Sequence, residues 1–178
     1  MIRHVVLVGL SGSGKSSVGR RVAGLLSRPF RDADDEIEQR TGRTVRDIFA
    51  KDGEQMFREI EADVMSDLLR ADESTVIAAG GGAVVTESTR KLLQQPDVFV
   101  VWLVASPEFL ASRTKKKAHR PLLDDDPAAA LARLLDERTA WYEEVADATV
   151  DVQPHHEAAP KPLAKDNIAS TIAALVPV

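Results

Sequence analysis

The run Gly9-Leu10-Ser11-Gly12-Ser13-Gly14-Lys15-Ser16 follows directly on the apolar stretch Val5-Val6-Leu7-Val8, and it constrains the fold more than any other feature of the chain. A loop of the form G-x-x-x-x-G-K-[ST] carries meaning only between a buried strand and a helix. Both flanks are present. An apolar run without alternation precedes the loop, and Val18, Val22, Leu25 and Leu26 recur behind it at helical spacing. Glycines there let backbone N–H groups turn inward around an anion without Cβ clashes, and the start of the helix adds unpaired N–H groups and partial positive charge. Lys15 supplies a mobile full charge for the β- and γ-phosphates of a nucleotide, and the Ser16 hydroxyl is a ligand for Mg²⁺. Gly12, Ser13, Gly14, Lys15, Ser16 and Ser17 are thus the candidate residues for holding a nucleoside triphosphate.

Beyond the loop, short apolar runs alternate with helical patterns, which predicts βαβ units and a parallel sheet covered on both faces. Strands are expected at 4–8, 29–31, 75–79, 98–104 and 148–152. Helices are expected at 16–26, 35–40, from Thr44, from Gly53 to about 71, near 87–93, from Pro107 to about 114, from Pro127 to about 146, and at 165–175. Residues 153–165, with three prolines, read as a loop. A five-stranded parallel sheet flanked by helices, in a single α/β domain over 1–178, is the simplest arrangement. The net charge of −5 leaves no basic field for nucleic acid or anionic lipid. Cys is absent, which excludes disulfides and cysteine catalysis and suits a reducing compartment. The first strand begins almost at the N-terminus, leaving no room for a signal peptide, and the apolar run 98–105 is too short to span a bilayer. A cytoplasmic monomer with no nucleic-acid or membrane partner is the expectation.

Many nucleotide-binding proteins share this loop, so the acceptor side must choose among them. Guanine-specific switches carry N-K-x-D, whereas the only Asn here is Asn167, followed by Ile168. Motors and helicases need far longer chains. The remaining motifs are Asp32-Ala33-Asp34, Ile37-Glu38-Gln39-Arg40-Thr41-Gly42 and Ile48-Phe49, then Gly53-Glu54-Gln55-Met56-Phe57-Arg58-Glu59-Ile60-Glu61. After them come Gly80-Gly81-Gly82-Ala83-Val84, Arg120-Pro121-Leu122-Leu123, and Arg138 ahead of Trp141-Tyr142. In this order, and to about residue 152, the sequence resembles shikimate kinase.

The resemblance implies a P-loop NTPase fold of the nucleoside monophosphate kinase-like kind, with ATP as donor, Mg²⁺, and the shikimate 3-hydroxyl as acceptor. It implies Asp34 as the base, Asp32 as a Mg²⁺ partner beside Ser16, and Lys15 with Arg120 at the transferring phosphoryl group. Arg58 and Arg138 would take the acceptor carboxylate in planar bidentate fashion. Phe49 and Phe57 would lie against its ring, and Gly80, Gly81 and Gly82 would allow close approach of the backbone to it. A lid at about 113–126 would bring Arg120 over the phosphates and Arg113 near the adenine, with the acceptor segment at about 34–61. His155 falls about where the family carries a basic residue beside the adenine. The longer loop 153–165, unlike the family's, is expected to be mobile and to gate that pocket only loosely.

Taken singly, these residues have plainer readings. An Arg within a helix is usually solvated charge, an acidic pair at a strand end caps the next helix, and three glycines make a flexible turn. Phenylalanines at helical spacing are usually core, and the pair His155-His156 reads as exposed loop. The rival functions are another small-acceptor kinase, for gluconate or a nucleoside monophosphate, and a nucleotide-binding regulator without transferase activity.

Overall fold

Strand β1 (His4–Val8) is buried along its whole length because its two faces feed two different cores. Val6 and Val8 point into one with Val100 and Trp102, while Val5 and Leu7 point into the other with Phe99, Val101 and Leu103. This is why the strand reads as an unbroken apolar run rather than an alternating one. The computed structural model describes residues 1–114 and 126–177.

The sheet has five strands in the order β2-β3-β1-β4-β5, every neighbouring pair parallel. The other four are β2 (Phe30–Asp32), β3 (Thr75–Ala78), β4 (Val98–Val104) and β5 (Ala148–Asp151). On one face lie α1 (Lys15–Leu26) and α8 (Lys161–Leu175), packed through Val18, Val22, Ile168 and Ile172. The other face is covered by α3 (Val45–Arg70), α4 (Glu87–Leu93), α5 (Pro107–Thr114) and α6 (Pro127–Val145). A small third cluster, Ile37, Ile48, Phe57 and Val64, ties α2 (Ala33–Thr41) to α3 beyond the sheet edge.

The local signals held in most places. Thr44 caps α3 by accepting from the Asp47 N–H at 3.1 Å, and Gly42 ends α2 with φ 66°. Gly53, with φ 83° and ψ 173°, is non-helical, so α3 is the two expected helices joined across a kink. Among the described residues no helix is long and apolar enough to cross a membrane.

The loop expected over 153–165 is not a loop. Helix α7 (Gln153–Ala158) follows β5 at once, and α8 starts at Lys161 rather than at residue 165. Proline breaks a helix only beyond its first turn. Pro154 and Pro162 sit in first turns and Pro160 is the cap before α8, where no intrahelical donor is needed. Val152 and Ala164 are fully buried on either side, and Gln153 Oε1 accepts from both the Ser106 N–H and its hydroxyl. The extra length is helix and cap rather than irregular chain, and no residue of α7 is buried. Of the lid expected at about 113–126, Arg113 and Thr114 lie in α5 and Asp126 caps α6, and 115–125 lie outside the described residues.

Gly9, at the exit of β1, has φ 141°, and a Cβ there would come 2.5 Å from the Leu103 carbonyl oxygen of β4. That neighbour is backbone and cannot swing aside. Gly9→Ala is expected to lower the unfolding free energy by about 2–4 kcal/mol, from overpacking plus a strained φ. Gly24→Ala in α1, where an added Cβ meets nothing within 4 Å, is expected to raise it by up to ~1 kcal/mol. Urea denaturation of the two variants measures both; equal stabilities would show that the β1–β4 edge yields.

Candidate active site

The phosphate loop is built to stay open. Gly12 and Gly14 have φ 90° and 96°, and a Cβ on Gly12 would lie 2.6 Å from the Leu110 carbonyl of α5. No side chain caps α1 and no acid occupies its first turn, so its N-terminal N–H groups face the loop uncompensated. Lys15 Nζ lies back over the same loop, donating to the carbonyls of Gly9 at 2.8 Å and Leu10 at 3.2 Å. Ser13 is buried and its hydroxyl donates to Leu10 O, while the Ser17 hydroxyl donates to Gly14 O at 3.1 Å. Those two hydroxyls brace the loop. Ser16 and Lys15 line the cavity beside it.

That cavity, about 390 Å³, opens at the carboxyl ends of β1, β2 and β3, where open α/β sheets bind ligands. Its walls combine Lys15, Ser16, Asp32 and Asp34 with Phe49, Phe57, Arg58, Gly81, Gly82 and Arg138. Residues far apart in sequence, expected to act together, therefore meet. Phe49 and Phe57 also pack on each other at 4.6 Å, so they serve core and site at once. Arg58 lies over both rings, at 5.9 Å and 5.2 Å from their centroids.

Neither arginine is solvated surface charge. Arg138 is buried and donates to the Gly81 carbonyl at 3.0 Å. Arg58, largely buried, pairs with Glu61 at 2.6 Å and with Glu54 at 3.1 Å. Burial alone would weaken the charge on Arg58, but the two glutamates outweigh it and hold its pKa above the ordinary value. Glu61 is only 2% exposed, and burial pushes its carboxyl above the usual range despite Arg58 and Arg138 nearby. Its Oε1 has no hydrogen-bond partner among the described residues.

Glu61 was not among the residues singled out from sequence, yet a signal was there. Phe57, Glu61, Val64 and Leu68 make a helical i, i+4, i+7, i+11 stripe, so an acid sits at a core position three residues after an Arg. Two of the glycines after β3 also lie against charged side chains. A Cβ on Gly80 would overlap Glu61 Oε1 and lie 3.2 Å from Asp34 Oδ1, and one on Gly82 would overlap the Arg58 guanidinium. They clear space for the charged side chains of the site.

Asp32 takes the plainer reading and keeps the other. Strand β2 ends at Asp32, whose Oδ1 accepts the Asp34 N–H at 3.1 Å as the cap of α2. It lines the cavity with Ser16 all the same. Among the described residues no three acidic or imidazole groups converge as a metal site. An ion held by one hydroxyl and one carboxylate, with phosphate oxygens and water completing six ligands, is how Mg²⁺ is usually bound beside nucleotides.

On the nucleotide side, Arg113 Nε donates to Gly12 O at 3.0 Å and its guanidinium lies 5.3 Å from the Phe109 ring centroid. The ring packed on Phe109 from α7 is that of His156, at 5.7 Å, and not that of His155. Burial, then Arg113 and Lys165, push the His156 pKa down to about 4, so it is neutral at pH 7. His155, its neighbour in α7, is half-buried. Arg120 lies outside the described residues.

The family model for shikimate kinase matches residues 11–174. The chain belongs to the shikimate kinase family. It is 45% identical over 149 residues to a shikimate kinase of Burkholderia thailandensis, covering 83% of this chain and 80% of that one. With a shikimate kinase of Caulobacter vibrioides it shares 48% over 144 residues, 80% of this chain and 70% of the relative. Among solved structures, a shikimate kinase from Acinetobacter baumannii in complex with shikimate superposes with a TM-score of 0.88 at 37% identity, covering 98% and 93% of the two chains. A gluconokinase from Sinorhizobium meliloti superposes with a TM-score of 0.52 at 23% identity, a likeness of fold alone. The shikimate kinase fold is thus the fold described above, five parallel strands with helices on both faces.

Proposed function

We propose that the chain transfers the γ-phosphoryl group of ATP to the 3-hydroxyl of shikimate, with the residues of the cavity in the following roles. The observation that carries this reading is the single cavity in which Lys15 and Ser16 share walls with Asp34, Arg58 and Arg138. A phosphate grip, a carboxylate base and two guanidinium groups are what a phosphorylated hydroxy acid demands. Arg58 and Arg138 hold the acceptor carboxylate, and Phe49 and Phe57 bound its ring. Asp34 takes the proton of the attacking hydroxyl as the new O–P bond forms. The bond from the γ-phosphorus to its bridging oxygen breaks, and ADP departs with that electron pair.

Lys15 leaves the Gly9 and Leu10 carbonyls to neutralise the phosphates, joined by the backbone N–H groups of residues 12–17. Ser16 and Asp32 would hold Mg²⁺, which supplies charge neutralisation on the phosphates. Arg113 and His155 are assigned to the base-side wall, with His156 packed beside them on Phe109. Arg120 is assigned the charge that meets the transferring group, and water exclusion by the lid protects ATP from hydrolysis. All assigned residues come from one chain, so a monomer suffices, and the cytoplasm, where ATP is abundant, is the compartment that suits it.

ADP release measured by a coupled assay tests the acceptor. Shikimate should stimulate it strongly, with little turnover on gluconate or AMP. Equal or greater turnover on gluconate would overturn the assignment, and ADP release indifferent to every acceptor would favour a regulator.

A further inference from the structure

The Gly81 carbonyl, at the floor of the cavity, receives two donors from α6. Arg138 Nη1 lies 3.0 Å from it and the Tyr142 hydroxyl 2.7 Å, so both lone pairs of one peptide oxygen are filled from adjacent turns of one helix. Tyr142 is 1% exposed, and its ring stacks on Trp102 at 5.2 Å with an interplanar angle of 14°. Trp102 pairs in register with Val8, the last residue of β1 before the phosphate loop. Gly81 itself borders that loop: a Cβ there would lie 3.7 Å from the Ser11 backbone nitrogen. One buried phenol therefore links the strand that sets the phosphate loop to the peptide that sets Arg138.

We propose that Tyr142 is a positioning residue for the acceptor: its hydroxyl fixes the Gly81 peptide, and through it the angle at which Arg138 presents its guanidinium to the substrate carboxylate. This rests on the assignment of Arg138 to the acceptor. An arginine held at one N–H by a carbonyl that could itself tilt would sweep its remaining N–H groups through the cavity. With the carbonyl pinned by a second donor, the plane of the guanidinium is set before the acceptor arrives. Burial holds the phenol protonated, so it remains a donor across the working pH range.

Tyr142→Phe keeps the ring and its stacking on Trp102 and removes only the hydroxyl. The expected result is a rise of about 3- to 10-fold in the shikimate KM and in its calorimetric Kd, the size of one lost buried hydrogen bond, with the ATP KM within about twofold of wild type. On an Arg138→Lys background, which has already lost the planar fork, adding Tyr142→Phe should change shikimate affinity by less than about twofold. A merely structural role would move both KM values together and would add in full to Arg138→Lys, and either result overturns the proposal. So does an unchanged shikimate KM in Tyr142→Phe. Wild-type enzyme measured alongside separates the two levels, since failure of wild type to bind shikimate would sink the acceptor assignment itself.

Discussion

Asp34→Asn is expected to lower kcat by roughly 10²- to 10⁴-fold, the usual worth of a positioned general base, while leaving nucleotide affinity within about twofold. The substitution leaves the start of α2 in place. The capping bond at the start of α2 uses the Asp34 backbone N–H and the Asp32 side chain, so Asn at 34 leaves the cap intact. Asn has the same shape as Asp beside Gly80, where the Asp34 carboxylate oxygen already lies close to the space a Cβ would fill. What disappears is the assigned acceptor for the hydroxyl proton in the cavity. Single-turnover kinetics should place the loss in the chemical step. Retention of more than a tenth of wild-type turnover would return Asp34 to a binding role.

How far the sequence carried depended on whether a residue's partners lay near it in the chain. Strand and helix limits followed from local pattern: the unbroken apolar run of β4, the Thr44 cap and the Asp126-Pro127 start of α6 all use neighbours within a few residues. The phosphate loop was equally local. Tertiary consequences were not. That Gly80 and Gly82 make room for Glu61 and Arg58 depends on a strand end meeting a helix about twenty residues away. The error over 153–165 had a different cause. Three prolines were read as excluding helix, whereas position within the first turn decides their effect, and that depends on where β5 ends and Ser106 waits. Glu61 was passed over because charge was assumed to mean exposure, when its spacing placed it in the apolar stripe of α3.

That buried acid sharpens what loss of Arg58 should do. On the assignment proposed above, Arg58→Ala removes the main counter-charge of the acceptor carboxylate, and truncating one member of such a pair typically costs about 2–5 kcal/mol of binding. Shikimate affinity measured by calorimetry should fall accordingly, with ATP binding near wild type. The same change strands Glu61, 2% exposed and paired at 2.6 Å, and breaking a buried pair from one side costs about 3–5 kcal/mol of stability. The stability loss should depend on pH in a definite direction. Burial raises the Glu61 carboxyl above its ordinary value of 4.5, and without Arg58 it rises further. A protonated Glu61 needs no counter-charge, so the deficit against wild type should be smallest in acid. It should grow as pH rises through the variant's folded-state pKa, where the carboxyl must ionise unpaired. Urea midpoints at pH 5 and pH 8 read this out, and an equal deficit at both would show that Glu61 is not the stranded charge. Replacing both partners, Arg58→Met with Glu61→Leu, should recover most of the stability because apolar groups of similar volume fill the space. It should recover none of the shikimate affinity, which separates the guanidinium's work on the acceptor from its work on the fold.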